Sequence, residues 1–313
     1  MSVPAAFLAV VLIWSTTPLA IQWSSEGGGF LFGVAVRMVL GVLACLGLVA
    51  LLRRPLPWNR RAMETYAVAG LGVWGAMTSV YWSAQHIPSG LVSVLFGLSP
   101  VVTAVMAALW LGERSLTPIR MAASALCLFG LWWIFGRGGE GSRGFALGLL
   151  GMLASVSVHA ASSVWVKRLD AGLHPVQTTT GALLVGVPLF VLVWLVADGR
   201  APADVPARAA WSIVYLAVFG SALGFMLYFH LLRRMQASRL ALIAFITPVL
   251  ALLLGQTLNG EVISRHTALG AGIILLGLAL FHWGDDLIGR RVRGCEPRSL
   301  FRAPGRGETG NRG

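Results

Sequence analysis

Charge is what this 313-residue sequence has least of: 12% of its residues are Asp, Glu, Lys or Arg, while 57% are hydrophobic. A soluble domain carries roughly 25% charged residues, so this chain cannot clothe itself in a water-facing surface. Lys167 is the one lysine, and Arg168 follows it, which excludes a G-K-[ST] phosphate loop and ATP hydrolysis through one. H-E-x-x-H, G-x-S-x-G and C-x-x-C are all absent, removing the common metal and nucleophile signatures. No metal, cofactor or enzymatic activity is therefore expected. The three cysteines, Cys45, Cys127 and Cys295, are scattered over two apolar runs and a basic C-terminal stretch and imply no pairing. "GRGGEG" at 136–141 matches G-x-G-x-x-G but follows an apolar run rather than a strand, and reads as a loop. Asn-x-Ser/Thr does not occur.

Long apolar runs are what the sequence has instead, with mean hydropathy +0.77. Measured against the ~20 residues that cross a bilayer, they give ten candidate helices. These lie near 3–23, 30–52, 66–86, 88–111, 117–135, 145–166, 176–197, 209–232, 238–258 and 265–283. The expected class is an all-α membrane protein, with connections too short for a soluble domain. The first span has no basic residue before it and no evident cleavage site, and reads as a retained helix.

The net charge of +12 points to orientation rather than to nucleic acid. With the N-terminus cytoplasmic, Arg53, Arg54, Arg60, Arg61, Arg114, Arg120, Lys167, Arg168, Arg233, Arg234 and Arg239 lie inside. Only Arg137, Arg143, Arg200, Arg208 and Arg265 lie outside, so both termini are expected to be cytoplasmic. The stretch 289–313 adds further arginines among Gly and Pro without periodicity; it reads as a disordered arm that touches anionic lipid.

One block occurs twice. "LSPVVTAVMAALWLGE" at 98–113 is echoed by "ITPVLALLLGQTLNGE" at 246–261: a hydroxyl residue, a proline, an apolar run, then Gly-Glu. The echo divides the chain into halves, 1–136 and 145–284, of five spans each. Because five is odd, the second half enters the membrane from the other side, giving two inverted five-helix repeats. Secondary transporters recurrently use such repeats, with a substrate site near the midplane.

These residues carry a resemblance. "IWSTTPLAIQW" in the first span, Arg37 in the second and the two Pro-to-Gly-Glu blocks are similar to the drug/metabolite transporter superfamily, in its ten-helix EamA branch. Ser15 departs from the glycine common there. The resemblance covers about 3–283 and implies export of small metabolites, amino acids or drugs across a bacterial inner membrane, by proton exchange or facilitated diffusion.

Several side chains stand out within the spans. Pro100 and Pro248 lie mid-span, where a missing N–H and a ring clash kink a helix and expose carbonyls, so they are read as gating or kink residues. Ser99 and Thr247 precede them and can bond those carbonyls or a solute. Glu113 and Glu261 stand at helix corners and are expected to cap the following helices. None of the twelve Asp and Glu residues falls at a midplane, which leaves a carboxylate proton relay without a member. Arg37, eight residues into its span, lies about 12 Å from the outer boundary. It either snorkels outward, braces backbone or attracts an anionic group.

His159 shares a polar stripe with Ser155, Ser162 and Ser163. Such a stripe serves close helix packing or lines a cavity, and the imidazole favours the cavity. Trp74, Thr78 and Trp82 recur every fourth residue, with Tyr81 beside them; Trp14 and Thr17 form a shorter face, as do Ser221, Phe225 and Tyr228. Gly220 and Gly224 make a GxxxG, read as packing within the chain ahead of dimerisation. Aromatics and hydroxyls suit a medium-sized organic solute with an apolar body.

The expected protein is a secondary exporter working by alternating access, with proton coupling as an addition. Its expected solute-lining set is Trp14, Thr17, Arg37, Trp74, Thr78, Trp82, Ser155, His159, Tyr228 and Thr247. Its partners are a small-molecule substrate and the lipid bilayer, with no nucleic acid, and the chain acts as a monomer or homodimer. A facilitator or channel without obligatory coupling, and a non-transporting scaffold or sensor, are the alternatives.

Overall fold

The computed structural model of the chain describes residues 2–113, 116–136, 143–224 and 237–294, with Leu227, Leu231, Arg234 and Met235. Among these residues helices are the only extended regular structure. In chain order they are α1 (Val3–Trp23), α2 (Gly29–Leu51), α3 (Arg60–Ser83), α4 (Ser89–Phe96), α5 (Ser99–Leu111) and α6 (Pro118–Gly136). The second half holds α7 (Arg143–Leu169), α8 (Pro175–Ala197), α9 (Ala207–Tyr215), α10 (Ala237–Asn259) and α11 (Arg265–Gly294). Helix α9 runs into a π-helical segment, Leu216–Leu223.

Of the ten expected spans, six are both long and apolar enough to cross a membrane by length and composition: Val3–Trp23, Gly29–Leu51, Ser89–Leu111, Arg143–Leu169, Pro175–Ala197 and Arg265–Asp285. Pro118–Ile134, Ala207–Ser221 and Phe245–Asn259 are apolar but shorter. Helix α3 is long, yet it begins with Arg60, Arg61 and Glu64, and the glycines, hydroxyl residues, tyrosines and tryptophans of its remaining turns keep its hydropathy low. It starts six residues before the expected 66 because Asn59 caps it, the side chain accepting from the Ala62 N–H at 2.9 Å.

The expected span at 88–111 is two helices. Helix α4 stops at Phe96, Gly97 and Leu98 form a turn, and α5 restarts at Ser99 with Pro100 in its first turn. Proline is tolerated there because a first-turn N–H has no intrahelical partner. Ser99 Oγ donates to the Phe96 carbonyl at 2.6 Å, the group that the missing Pro100 N–H leaves free. In the echo, α10 is continuous through Pro248, and Thr247 Oγ1 donates to the Ile243 carbonyl at 2.8 Å.

Both echoed blocks end alike. Gly112 and Gly260 have φ of 66° and 62°, a region that side chains disfavour. The Glu113 N–H reaches back to the Ala107 carbonyl at 3.4 Å, and the Glu261 N–H to the Gly255 carbonyl at 3.1 Å. This return is one residue wider than the 6→1 bond of a Schellman motif, but it too turns on a left-handed residue, which explains why glycine recurs at that place. Among the described residues neither glutamate side chain caps the next helix, which differs from expectation. Thr117 accepts from the Arg120 N–H at the start of α6, and Ser264 from the Thr267 N–H at the start of α11. A threonine or serine directly before the helix reaches these N–H groups, whereas a side chain several residues upstream is drawn to nearer partners.

The helices pack mainly between the halves: α6 on α11, α3 on α7 and α8, α2 on α8 and on the π-helical segment, α1 on α10, α4 on α10, and α5 on α7. Small residues permit the closest approaches; a β-carbon at Gly130 or Gly270 would press on the other's carbonyl. Polar contacts join helix ends across the sequence. Glu26 pairs with Arg208, and Asn259 contacts Gln22 and Trp23. Lys167 pairs with Glu113, Arg120 with Asp285, and Gln177 donates to the Pro55 carbonyl. Each contact links loops that an alternating path through a bilayer puts on one side.

Candidate functional site

Arg37 is the charged side chain buried deepest among the described residues, at 5% exposure. Its Nη1 donates to Tyr81 Oη at 3.3 Å, and the guanidinium carbon lies 5.8 Å from the centre of that ring. Tyr81 is fully buried and its hydroxyl also meets Ser24 Oγ at 3.5 Å. Arg37 Nε has no hydrogen-bond partner, and among the described residues no carboxylate pairs with the guanidinium. Of the alternatives raised above, snorkelling does not occur: the side chain points into protein.

Three elements meet at Arg37. Helix α2 supplies the arginine and α3 supplies Tyr81. The π-helical segment supplies Gly220, whose added β-carbon would lie 3.6 Å from Arg37 Nη2 and 3.8 Å from Thr17 Oγ1. Within that segment Ser221 Oγ donates to the Leu216 carbonyl, five residues back, at 3.1 Å. Gly224, one turn on, faces Trp14 Nε1 of α1. The GxxxG pair thus packs against the chain's own first helix.

The expected residues divide into groups. Trp14, Thr17 and Arg37 gather around the π-helical segment. Thr17 Oγ1 is bonded to the Ile13 carbonyl at 2.7 Å. On α3, Trp74 and Thr78 share a face with Tyr81, at i, i+4 and i+7, and both Trp74 Nε1 and Thr78 Oγ1 are buried without a partner. Trp82 turns from that face toward α7, its ring against the backbone of Gly151 and 4.7 Å from the His86 ring.

Ser155 is fully buried and its hydroxyl donates to the Ala76 carbonyl at 2.9 Å; Ser162 does the same to Val68 at 3.1 Å. These two serines join α7 to α3. His159, on the same stripe, sits with its ring 5.3 Å from Phe96, beside the break between α4 and α5. Thr247 is buried and bonded within its own helix. Tyr228 lies outside the described residues, as does Phe225. Glu113 pairs with Lys167 at 2.7 Å, while Glu261 accepts from Asn259 at 3.1 Å and keeps its second oxygen buried without a partner.

Sequence reading missed the π-helical segment, which is a plain apolar run in sequence. It also gave Tyr81 no role of its own. The i, i+4, i+7 spacing of Trp74, Thr78 and Tyr81 was the available signal.

Comparison with known proteins agrees with this architecture. The profile of the EamA-like transporter family matches residues 2–136 and 146–283. The chain belongs to this family. It is a multi-pass membrane transporter and not an enzyme. A probable terminal-alkyne amino-acid exporter of Streptantibioticus cattleyicolor is 26% identical over 93% of this chain and 96% of its own length. The uncharacterized inner membrane transporter YedA of Escherichia coli is 26% identical, over 90% of this chain and 91% of its own length. An uncharacterized transporter of Archaeoglobus fulgidus is 25% identical over 86% and 94%. One solved crystal structure shares the fold with TM-score 0.63 and 20% identity, covering 93% of this chain and 98% of that one.

Proposed function

We propose that this transporter is an exporter of small organic metabolites in a bacterial inner membrane, and that it works by alternating access between two inverted five-helix halves with both termini cytoplasmic. The observation that carries this reading is the pattern of helix contacts. With the spans numbered one to ten, exchange of the halves maps span 1 on 6, 2 on 7, 3 on 8, 4 on 9 and 5 on 10. The pairs 5 with 10 (α6, α11), 2 with 7 (α2, α8) and 4 with 9 (α4, α10) map onto themselves. The pair 1 with 9 (α1, α10) exchanges with 6 with 4 (α7, α5), and 3 with 7 (α3, α8) with 8 with 2 (the π-helical segment, α2). This supports a two-fold relation between the halves, and with five spans in each its axis would lie in the membrane plane.

Trp14, Thr17, Arg37, Trp74 and Thr78 are the members of the expected lining set that best suit a central site: the first three gather around the π-helical segment, and the last two share the α3 face of Tyr81 with their polar atoms buried and unpartnered. Ser155 is better suited to holding α7 on α3. The inner-membrane assignment follows the name of the Escherichia coli relative, and export follows that of the Streptantibioticus cattleyicolor relative.

Counterflow in vesicles of the purified protein tests the carrier reading. Unlabelled solute loaded inside should accelerate entry of the same labelled solute, as an alternating carrier requires. Entry indifferent to the trans side would instead support a facilitator or channel. One observation favours that second reading: among the described residues no Asp or Glu belongs to the buried set, so a carboxylate to carry coupling protons through the interior is missing there.

A further inference from the structure

The carrier reading names no solute class, and the surroundings of Arg37 supply one. Arginine stays protonated in proteins, so burying it is costly unless an anion or a complete set of hydrogen bonds compensates. Here Tyr81 Oη receives one N–H, Nε has no acceptor, and no carboxylate among the described residues pairs with the group.

The neighbouring α3 face adds to the imbalance. Thr78 is one turn from Tyr81 and Trp74 is two, each turn rising about 5.4 Å. Thr78 Oγ1 and Trp74 Nε1 are both buried without partners. A guanidinium and an indole N–H only donate, and a hydroxyl can donate. The face therefore holds a surplus of donors, one of them cationic, and lacks a negatively charged acceptor.

A carboxylate supplies that acceptor. It has two oxygens with about four acceptor sites and forms strong charge-assisted bonds with arginine. Gly220 faces the guanidinium with no side chain of its own, an added β-carbon standing 3.6 Å from Nη2. Gly220 also belongs to a π-helical segment, a distortion found repeatedly at functional sites. The indole of Trp74 offers an apolar wall for the rest of the solute.

We propose that Arg37, with Tyr81 and Thr78, forms the carboxylate-binding end of the transport site and Trp74 the wall beside it, so that the transported solutes are organic acids or amino acids. This rests on the carrier reading, and the experiment separates the two. Purified protein is melted with matched series: 3-phenylpropanoate, its amide and 3-phenylpropylamine; L-phenylalanine, its amide and phenethylamine; L-leucine, its amide and isoamylamine; and phenyl phosphate. The same series is run on Arg37→Met and Arg37→Lys.

At least one carboxylate should raise the melting temperature above its amide and amine. The rise should vanish in Arg37→Met and persist in part in Arg37→Lys. Ligand-free Arg37→Met should melt no lower than the parent protein, because it removes an uncompensated charge; a bracing arginine would give a drop. Counterflow of the stabilising carboxylate should fall about tenfold or more in Arg37→Met.

Equal stabilisation by amides or amines, stabilisation by the phosphate alone, no response to any carboxylate, or a response that survives Arg37→Met overturns the carboxylate assignment. Counterflow of amines by a protein indifferent to acids does so too, and leaves the carrier reading intact. Carboxylate stabilisation lost in Arg37→Met, without counterflow of any solute, overturns the carrier reading and supports the binding site.

Discussion

The blocks at 98–113 and 246–261 share their hydroxyl residue, proline, glycine and glutamate, yet only the first is broken. The difference lies three positions before each proline. Just ahead of the first block stands Gly97 and just ahead of the second Phe245, whose ring meets that of Trp283 at 5.8 Å and 73°. Glycine, the poorest helix former after proline, allows the turn that puts Pro100 in a new first turn, where it costs little. Phenylalanine holds the helix on course and leaves Pro248 inside it, with no N–H for the Ala244 carbonyl. A hinge with its carbonyl satisfied by Ser99 thus stands where the echo has a continuous helix carrying a local defect.

The comparison can be broken most forcefully by Phe245→Gly. Loss of the contact with Trp283 and a glycine in a helix should cost about 2–4 kcal/mol, read as a lower melting temperature in detergent. Next comes proline itself. Pro248→Ala restores an interior hydrogen bond and should stabilise the protein by about 1–3 kcal/mol, whereas Pro100→Ala should change stability by less than about 0.5 kcal/mol. Equal effects of the two in thermal unfolding would mean that the helices are alike.

The shared end of the blocks is sharpened by Gly112→Ala and Gly260→Ala. Neither glycine has an atom within 4 Å of an added β-carbon, so the cost is that of the backbone alone. About 1 kcal/mol in each, and nearly equal, is the expected outcome by thermal unfolding. The smallest effect belongs to Lys167→Ala. Its ion pair with Glu113 has side chains 63% and 35% exposed, and such a pair contributes about 0–1 kcal/mol, screened further by salt.

Much of this was legible in sequence, because apolar runs and helix propensity agree over most of the chain. Helix α1 occupies Val3–Trp23, the run read directly from hydropathy. The ends diverged where charge and helix part company: α3 begins at Arg60, within its polar turn, and α11 continues to Gly294, past 289, where the basic arm was expected to begin. The break at Gly97 was hidden because glycine inside an apolar run is also an ordinary packing residue. Within the site, the buried Arg37 stood out by its charge alone. The commitment of Ser155 and Ser162 to α3 carbonyls did not, since a serine stripe has the same spacing whether it faces a solute or a neighbouring helix.

Sidedness of a thiol in the centre tests alternating access most directly. In a variant carrying Cys45→Ala, Cys127→Ala and Cys295→Ala, Thr78→Cys would be labelled with a membrane-impermeant maleimide from each face of sealed vesicles, with and without saturating solute. Reaction from one face at a time, with the favoured face changing as solute is added, is the predicted result. Equal reaction from both faces in every condition, or none from either, would contradict a central site opened alternately by two inverted halves.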